Sequence, residues 1–364
     1  MEKRGKQICR SAVGCLIALS FVLAGSFAAA QTAGKVREVR FPSQMPVGQF
    51  DTVGCEKFCA EAEARSNKTL RFKHYPAQQL YTAEQLQHIL PAGGVEMAQI
   101  ELYKFSGTVP EGMITTPSLL TYDEYFRWMY DTANGGGFYY KIMRPALAKK
   151  KIHLISSLNF DPHGGIMTVN PVRKVTDYKG MKIREGGKSM GALIVKYGAK
   201  AVVMSSADVY MALQRKTIDG VQSSPTSFVS RKWYEMTNHY QTFDSGNSGY
   251  FIAANMDFWR SLTPEQQTAI EEAARSVEIW SAEASVKEDD QCMETMKKAK
   301  IEIWNFTPEE MKDFKENALE ELRKIVEPEV GAETWKESIQ LKKNIMQAKT
   351  TALEVLKNRK YVRP

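Results

Sequence analysis

Cysteine is scarce in this chain of 364 residues: there are five, and two of them, Cys9 and Cys15, fall within the first thirty positions. The remaining three, Cys55, Cys59 and Cys292, make no disulfide framework. Cys55 and Cys59 stand four apart on a stretch with helical apolar spacing. Neither histidine nor a further cysteine lies near them, so they read as small buried hydrophobes and not as metal ligands. No metal and no cofactor is expected. Nucleotide loops are also missing. The run Asn134-Gly135-Gly136-Gly137 has no following Lys-Ser or Lys-Thr in register, and Gly187-Lys188-Ser189 lacks the glycine five positions earlier. The chain has no Gly-x-Ser-x-Gly elbow, no His-Glu-x-x-His and no paired-carboxylate motif, which leaves an enzyme with little to stand on. Repeats and low-complexity tracts are absent. Glycine and proline are scattered, so a domain boundary must be a crossing of strands and not a flexible linker.

A leader is present at the start. Lys3, Arg4, Lys6 and Arg10 precede an apolar core from Ala12 to Phe27, and Ala28-Ala29-Ala30 stands before Gln31, the pattern of a secretory signal peptide over residues 1–30. Gly14, Ser20, Gly25 and Ser26 interrupt the core, which is shorter than the roughly 20 residues of a membrane span. Cys15 comes too early in it for lipid attachment. The expected product is therefore an exported, periplasmic protein. Losing residues 1–30 removes four basic and one acidic side chain, taking the net charge from +7 to +4. The remaining bases are interspersed with acids, especially after Glu265. They read as solvated helix faces and form no stripe suited to nucleic acid.

Some 334 residues are long for one core and comfortable for two. Val36 to Phe41 alternates as a strand, Asp51 is placed to cap a helix whose apolar face carries Val53, Cys55, Phe58, Cys59 and Ala62, and Leu70 to His74 is a second strand. Strand, helix, strand opens an α/β lobe. Thr82 with Gln85 and Thr121 with Glu124 have the spacing of capping boxes. Val95 to Ile100 is a third strand, with Glu101 at its carboxyl end, where ligands of open α/β sheets sit. After strand Ile152 to Leu158, a turn at Asp161-Pro162 and strand Gly165 to Val169, a second α/β lobe is expected: strand Lys182 to Arg184, a helix from about Ser189 to Tyr197, strand Ala201 to Met204, a cap at Ser206, helix Asp208 to Gln214 and strand Ile218 to Val221. A helix is expected over Pro225 to Tyr234, then an apolar strand from Gly249 to Ala254. From Thr263-Pro264-Glu265 a helix of about 36 residues, roughly 54 Å, is longer than one lobe and so should bridge two. The division expected is 31–158 with 250–285 in lobe I, and 159–249 with 286–364, including the charged C-terminal helices, in lobe II.

The most informative stretch is Val175 to Ser224. A turn at Asp177-Tyr178-Lys179-Gly180 leads into Lys182-Ile183-Arg184, and Glu185-Gly186-Gly187 follows, where missing β-carbons let a neighbour approach the backbone. An arginine at a strand end facing a cleft can grip a carboxylate through two parallel hydrogen bonds. Taken alone, the local sequence favours a surface arginine paired with an acidic neighbour. The series Val175-Thr-Asp-Tyr-Lys-Gly-Met-Lys-Ile-Arg184, Tyr197-Gly-Ala, Asp208-Val-Tyr-Met-Ala-Leu-Gln214 and Ile218-Asp-Gly220 resembles the solute-binding proteins of TRAP transporters, the DctP-type family. Tyr75-Pro76 with Gln79-Leu80, Trp233 to His239 and Leu262-Thr-Pro-Glu-Gln-Gln267 extend the likeness over nearly the whole exported chain.

That resemblance implies an α/β, two-lobed periplasmic-binding-protein-like fold that closes over a small organic acid and delivers it to membrane permease subunits. It implies that Arg184 pairs with the ligand carboxylate, and that Glu101 and Ser223 stand at ligand-contacting positions. Gln222, Gln44, Tyr81 and Trp233 complete the expected site, with Tyr250 and Trp128 as further aromatic walls. Two departures bear on the ligand. His163-Gly164-Gly165 stands where many members carry a second arginine, which argues for a monocarboxylate, with His163 a candidate contact. Val221-Gln222-Ser223 replaces the family's usual Gln-Glu-Asn, which argues against sialic acid. A monomer is expected. The competing readings are a secreted enzyme on a related two-lobed fold and a sensor partner that presents a ligand to a receptor.

Overall fold

The alternation of Val36 to Phe41 is realised as β1 (Arg37–Pro42), with Val39 and Phe41 fully buried, pairing in parallel with β2 (Leu70–Tyr75). These residues belong to a computed structural model that describes residues 36–130, 137–158, 164–243 and 249–359. The expected leader, the Asn134-Gly135-Gly136 run and the Asp161-Pro162 turn with His163 lie outside the described residues. Between β1 and β2 the helix Phe50–Arg65 buries Cys55, Phe58, Cys59 and Ala62 but leaves Val53 partly exposed. Gln49, not Asp51, precedes this helix, and its side chain makes no capping bond. Asp51 sits in the first turn, buried, where its Oδ2 accepts from Gln99 Nε2 at 3.4 Å.

A second sheet has the order β3 (Met97–Glu101), β10 (Tyr250–Asn255), β4 (Ile152–Leu158), with β10 antiparallel to both neighbours. The third sheet has the order β11 (Glu302–Asn305), β9 (His239–Thr242), β5 (Gly165–Thr168), β8 (Gly220–Ser223), β6 (Lys182–Glu185), β7 (Lys200–Val203). The chain passes between these two sheets after β4 and again before β10.

Local chemistry decides the helix starts. Thr82, Thr263 and Thr307 each close a reciprocal capping box with the residue three positions on, worth about 1 kcal/mol apiece. Tertiary packing decides the exceptions. The helix expected over Ser189 to Tyr197 is two 3-10 turns, Met190–Leu193 and Val195–Tyr197. Here Gly191 lies so close to β7 that a β-carbon on it would meet Ala201 at 2.8 Å, and the backbone tightens to fit. Ser206 caps nothing: Asp208 precedes the helix Val209–Gln214, without a side-chain bond. The helix expected to Tyr234 stops at Ser230, because Lys232 turns left-handed at φ +57 and a 3-10 turn carries Trp233–Glu235.

The helix Pro264–Lys298 runs for 35 residues. Ile270, Ala273, Ala274 and Val277 pack with Phe41, Phe58 and Ile252, whereas Met296 packs with Met167, Val221 and Trp233. One element thus contributes to the cores of both lobes. The helix Pro308–Val330 also divides its face: Phe314 and Ala318 lie with Ile166 and Ile183, and Leu322 and Val326 lie with Trp128 and Phe251. Beyond it, Trp335, Leu341, Ile345, Ala352 and Leu356 pack on the first lobe. Grouping residues 286–364 wholly with the second lobe therefore does not describe their packing. The reason is an apolar stripe that continues past Ala318 onto the neighbouring core.

Candidate functional site

Arg184 is the third residue of β6, with parallel neighbours β7 and β8. Its side chain is 5% exposed. Nε donates to Met204 O at 3.1 Å, Nη1 donates to Gln222 O at 3.4 Å, and the guanidinium carbon lies 5.9 Å from the centre of the Trp233 ring. Two carbonyls and an aromatic face fix its direction and leave further N–H donors unused. No ion pair to Arg184 exists among the described residues. A buried cation without a counter-ion is costly unless an anion arrives. Burial accordingly draws its pKa down, with Tyr103, Glu185 and Glu101 opposing.

Glu185, the next residue, points to the other face of the sheet. Burial pushes its carboxyl well above the usual carboxylate range, against the pull of Arg184. With its side-chain nitrogen turned toward this acid, Gln222 donates to Glu185 Oε1 at 3.2 Å and to Met190 O at 3.3 Å. Gln222 thus offers Arg184 its backbone carbonyl while its amide is engaged beneath.

From the first lobe come Gln44, Glu101 and Tyr103. Gln44 follows β1, and its backbone N–H donates to Gln99 Oε1 at 3.0 Å. Both polar atoms of its own buried amide lack a partner among the described residues. Glu101 ends β3 opposite Tyr250, and a 3-10 turn over Leu102–Phe105 swings Tyr103 back so that its hydroxyl donates to Glu101 Oε2. Burial raises the pKa of Glu101, while Lys104, Tyr103 and Arg184 act to lower it. The Tyr103 ring occupies the space left by the glycine pair: a β-carbon on Gly187 would stand 2.7 Å from Tyr103 Cδ2. The neighbour that approaches this backbone is therefore a side chain of the opposite lobe.

These groups surround a cavity of about 70 Å³ between the lobes. Gln44, Glu101, Arg184, Gln222 and Ser223 line it, as does Gly164, the neighbour of His163. Tyr81 and Trp233 do not. Tyr81 is half-buried against the first-lobe core, and Trp233 lies beneath Arg184. Tyr250 is in the lining, whereas Trp128 is core. Sequence reasoning missed Tyr103, Thr116, Ser205 and the ion pair of Lys104 Nζ with Glu84 Oε1 at 2.8 Å. The glycine pair was a signal that something large stood over it, but did not say what. Thr116 offers a hydroxyl without a partner among the described residues, and its carbonyl accepts from Ser189 Oγ at 2.6 Å. Arg231 stands just outside the lining, 5.8 Å from the Trp233 ring, and its Nη2 lies 2.9 Å from Met45 Sδ of the first lobe.

Comparison with known proteins gives a consistent picture. Residues 43–329 match the family described as bacterial extracellular solute-binding protein, family 7, DctP. The C4-dicarboxylate-binding periplasmic protein DctP of Rhodobacter capsulatus is 27% identical over 285 residues, 77% of this chain and 84% of that one. A TRAP periplasmic solute binding protein from Rhodoferax ferrireducens, solved with bound malonate, superposes with a TM-score of 0.74 at 25% identity, covering 84% of this chain and 97% of that one. DctP7 of Bordetella pertussis, an extracytoplasmic solute receptor binding pyroglutamic acid, shares the fold at a TM-score of 0.74 and 17% identity, over 84% and 99% of the two chains.

Proposed function

Because the chain belongs to family 7 of the bacterial extracellular solute-binding proteins, we propose that it captures a small monocarboxylic acid outside the cytoplasm and delivers it to the membrane permease of a TRAP transporter. Members of this family are receptors for small organic acids, and their two-lobed fold is the one described above. The observation that carries the reading is Arg184: a guanidinium 5% exposed, oriented by two carbonyls, facing an interlobe cavity and ion-paired to no acid among the described residues. A carboxylate there would receive charge-assisted hydrogen bonds at a site already desolvated. Glu101, Gln44 and Ser223 are assigned to the remainder of the ligand, and Gln222 to holding Arg184 in place. The start of the sequence is read as the export signal, and the mature protein as a monomer.

The test is a thermal-shift screen of purified protein against mono- and dicarboxylic, keto, hydroxy, aromatic and sugar acids. At least one acid should stabilise it. Arg184→Ala should remain folded and lose that shift, since truncating one partner of a buried charge pair costs about 2–5 kcal/mol of binding. No stabiliser across the library, or turnover of any acid, would defeat the proposal.

A further inference from the structure

A second cavity, of about 730 Å³ against about 70 Å³ between the lobes, opens on the first lobe and shares no lining residue with the interlobe site. It is bordered by Tyr140, the helix Arg144–Lys149, the start of β4, the helix Met256–Arg260 and the first turns of the helix Pro264–Lys298. β4 is the last strand of its sheet, so Ile152, His153 and Leu154, which alternate between its faces, all border the one space. Small-molecule sites have volumes of about 300–1,000 Å³. The buried part of this lining is aromatic: Trp259 is 5% exposed and His153 3%, and their rings stack at 4.2 Å and 16°. Gln267 Nε2 donates to Trp259 O at 2.8 Å, which ties the short helix to the long one. Burial, with Arg144 adding to it, draws the pKa of His153 from 6.5 down to about 3, so the imidazole is neutral. Its Nε2 has no hydrogen-bond partner among the described residues, a standing cost that a ligand's polar group removes.

The charges of the lining favour an anion. Arg260 is exposed and makes no ion pair among the described residues. Arg144 is half-buried, its guanidinium carbon 5.9 and 5.8 Å from the centres of the Tyr139 and Tyr140 rings. Glu271, buried, supplies one carboxylate against these two guanidiniums. We infer that this cavity is a second ligand site and that it takes a small aromatic acid: the ring lies among Trp259, Leu154 and Met256, the carboxylate goes to Arg260, and a ring hydroxyl or N–H is given to His153. An alkyl acid of similar size would forfeit the contacts that an aromatic face makes with Trp259 and with guanidinium groups. An amine of the same shape would add a third cation to the two already in the lining. The inference depends neither on Arg184 nor on what the interlobe site carries.

The experiment is calorimetric titration of the wild-type protein with 4-hydroxyphenylacetate and indole-3-acetate, with the matching amines tyramine and tryptamine, and with hexanoate. At least one aromatic acid should bind, tenfold or more tightly than its amine and than hexanoate. Two substitutions at exposed lining positions locate the site. Ala148→Trp fills the space and Arg260→Glu reverses the exposed charge; each should weaken that acid at least tenfold, whereas Arg184→Ala should leave its affinity unchanged. An acid lost in Arg184→Ala but kept in folded Ala148→Trp belongs to the interlobe cavity, and that result overturns the inference. So does an amine or hexanoate that binds as tightly as the aromatic acid, or no binding of either aromatic acid to wild type. The wild-type comparison requires no variant to fold, and its failure leaves the carboxylate anchor proposed at Arg184 untouched.

Discussion

Lys342 enters the interior from the helix Ala332–Ile345 and pairs with no acid among the described residues: its Nζ donates to Ser118 O at 2.7 Å and lies 5.0 Å from the Trp128 ring. Burial draws its pKa down from 10.5 to about 7. In the unfolded chain this lysine keeps its proton to about pH 10.4. Between those values the unfolded state binds more protons than the folded one, so stability contributed by this group rises with pH from about 7 to about 10. Lys342→Met should abolish that rise, read as the difference between wild-type and variant urea denaturation curves at the two ends of the window. An identical pH dependence in both proteins would refute the assignment. Single residues differ in how legible they are from sequence. Arg184 and Glu101 were readable because Glu101 ends β3 and Arg184 stands one residue before the end of β6, strands whose pattern is local. Tyr103 and Thr116 were not, because each reaches the cavity through a turn whose direction depends on the opposite lobe, and Lys342 looked like one more charge on a helical surface.

Among the elements, the turn over Gly186 and Gly187 and the last helix of the described chain each carry a close contact that one substitution tests. A methyl group on Gly187 would press on the Tyr103 ring at 2.7 Å, so Gly187→Ala should cost about 1–3 kcal/mol and displace the hydroxyl that holds Glu101. Unfolding curves and ligand affinity should fall together. At the end of the helix Ala352–Asn358, Arg359 is 5% exposed; its Nη1 binds both oxygens of Glu278 at 2.9 and 2.7 Å, and its guanidinium carbon lies 4.1 Å from the centre of the Tyr130 ring. Arg359→Ala leaves Glu278 buried without its cation, and a loss of about 3–5 kcal/mol is expected in chemical denaturation. A loss under about 1 kcal/mol would mean that Tyr130 and Ser157, which also donate to Glu278, suffice for it. Sequence disclosed the elements held by adjacent residues, as in the capping boxes of Thr82, Thr263 and Thr307. It misjudged those shaped by distant packing, as at Met190 to Tyr197.

At the scale of the whole molecule the two lobes touch where Arg231 reaches Met45, where Tyr103 covers Gly187 and where Ser189 donates to Thr116. Contacts present only when the lobes are together favour the closed form, and a ligand held from both sides adds to them. Arg231→Ala removes one such contact, made by a side chain outside the cavity lining to Met45 within it. A loss of about 1 kcal/mol from the closed form should weaken ligand binding roughly fivefold, mostly through faster release, measurable by stopped-flow displacement. Unchanged release would place closure elsewhere. The two-lobed architecture was legible because β-α-β alternation and an overlong helix are both written in pattern. The destination of the C-terminal helices was not, since an amphipathic face does not name its partner. The helix Pro264–Lys298, with Ile270 in one core and Met296 in the other, also governs how the molecule melts. Losing either core strands half of that helix in water, so neither lobe has a stable state of its own to fall back on, and heat should take the whole protein through a single calorimetric transition.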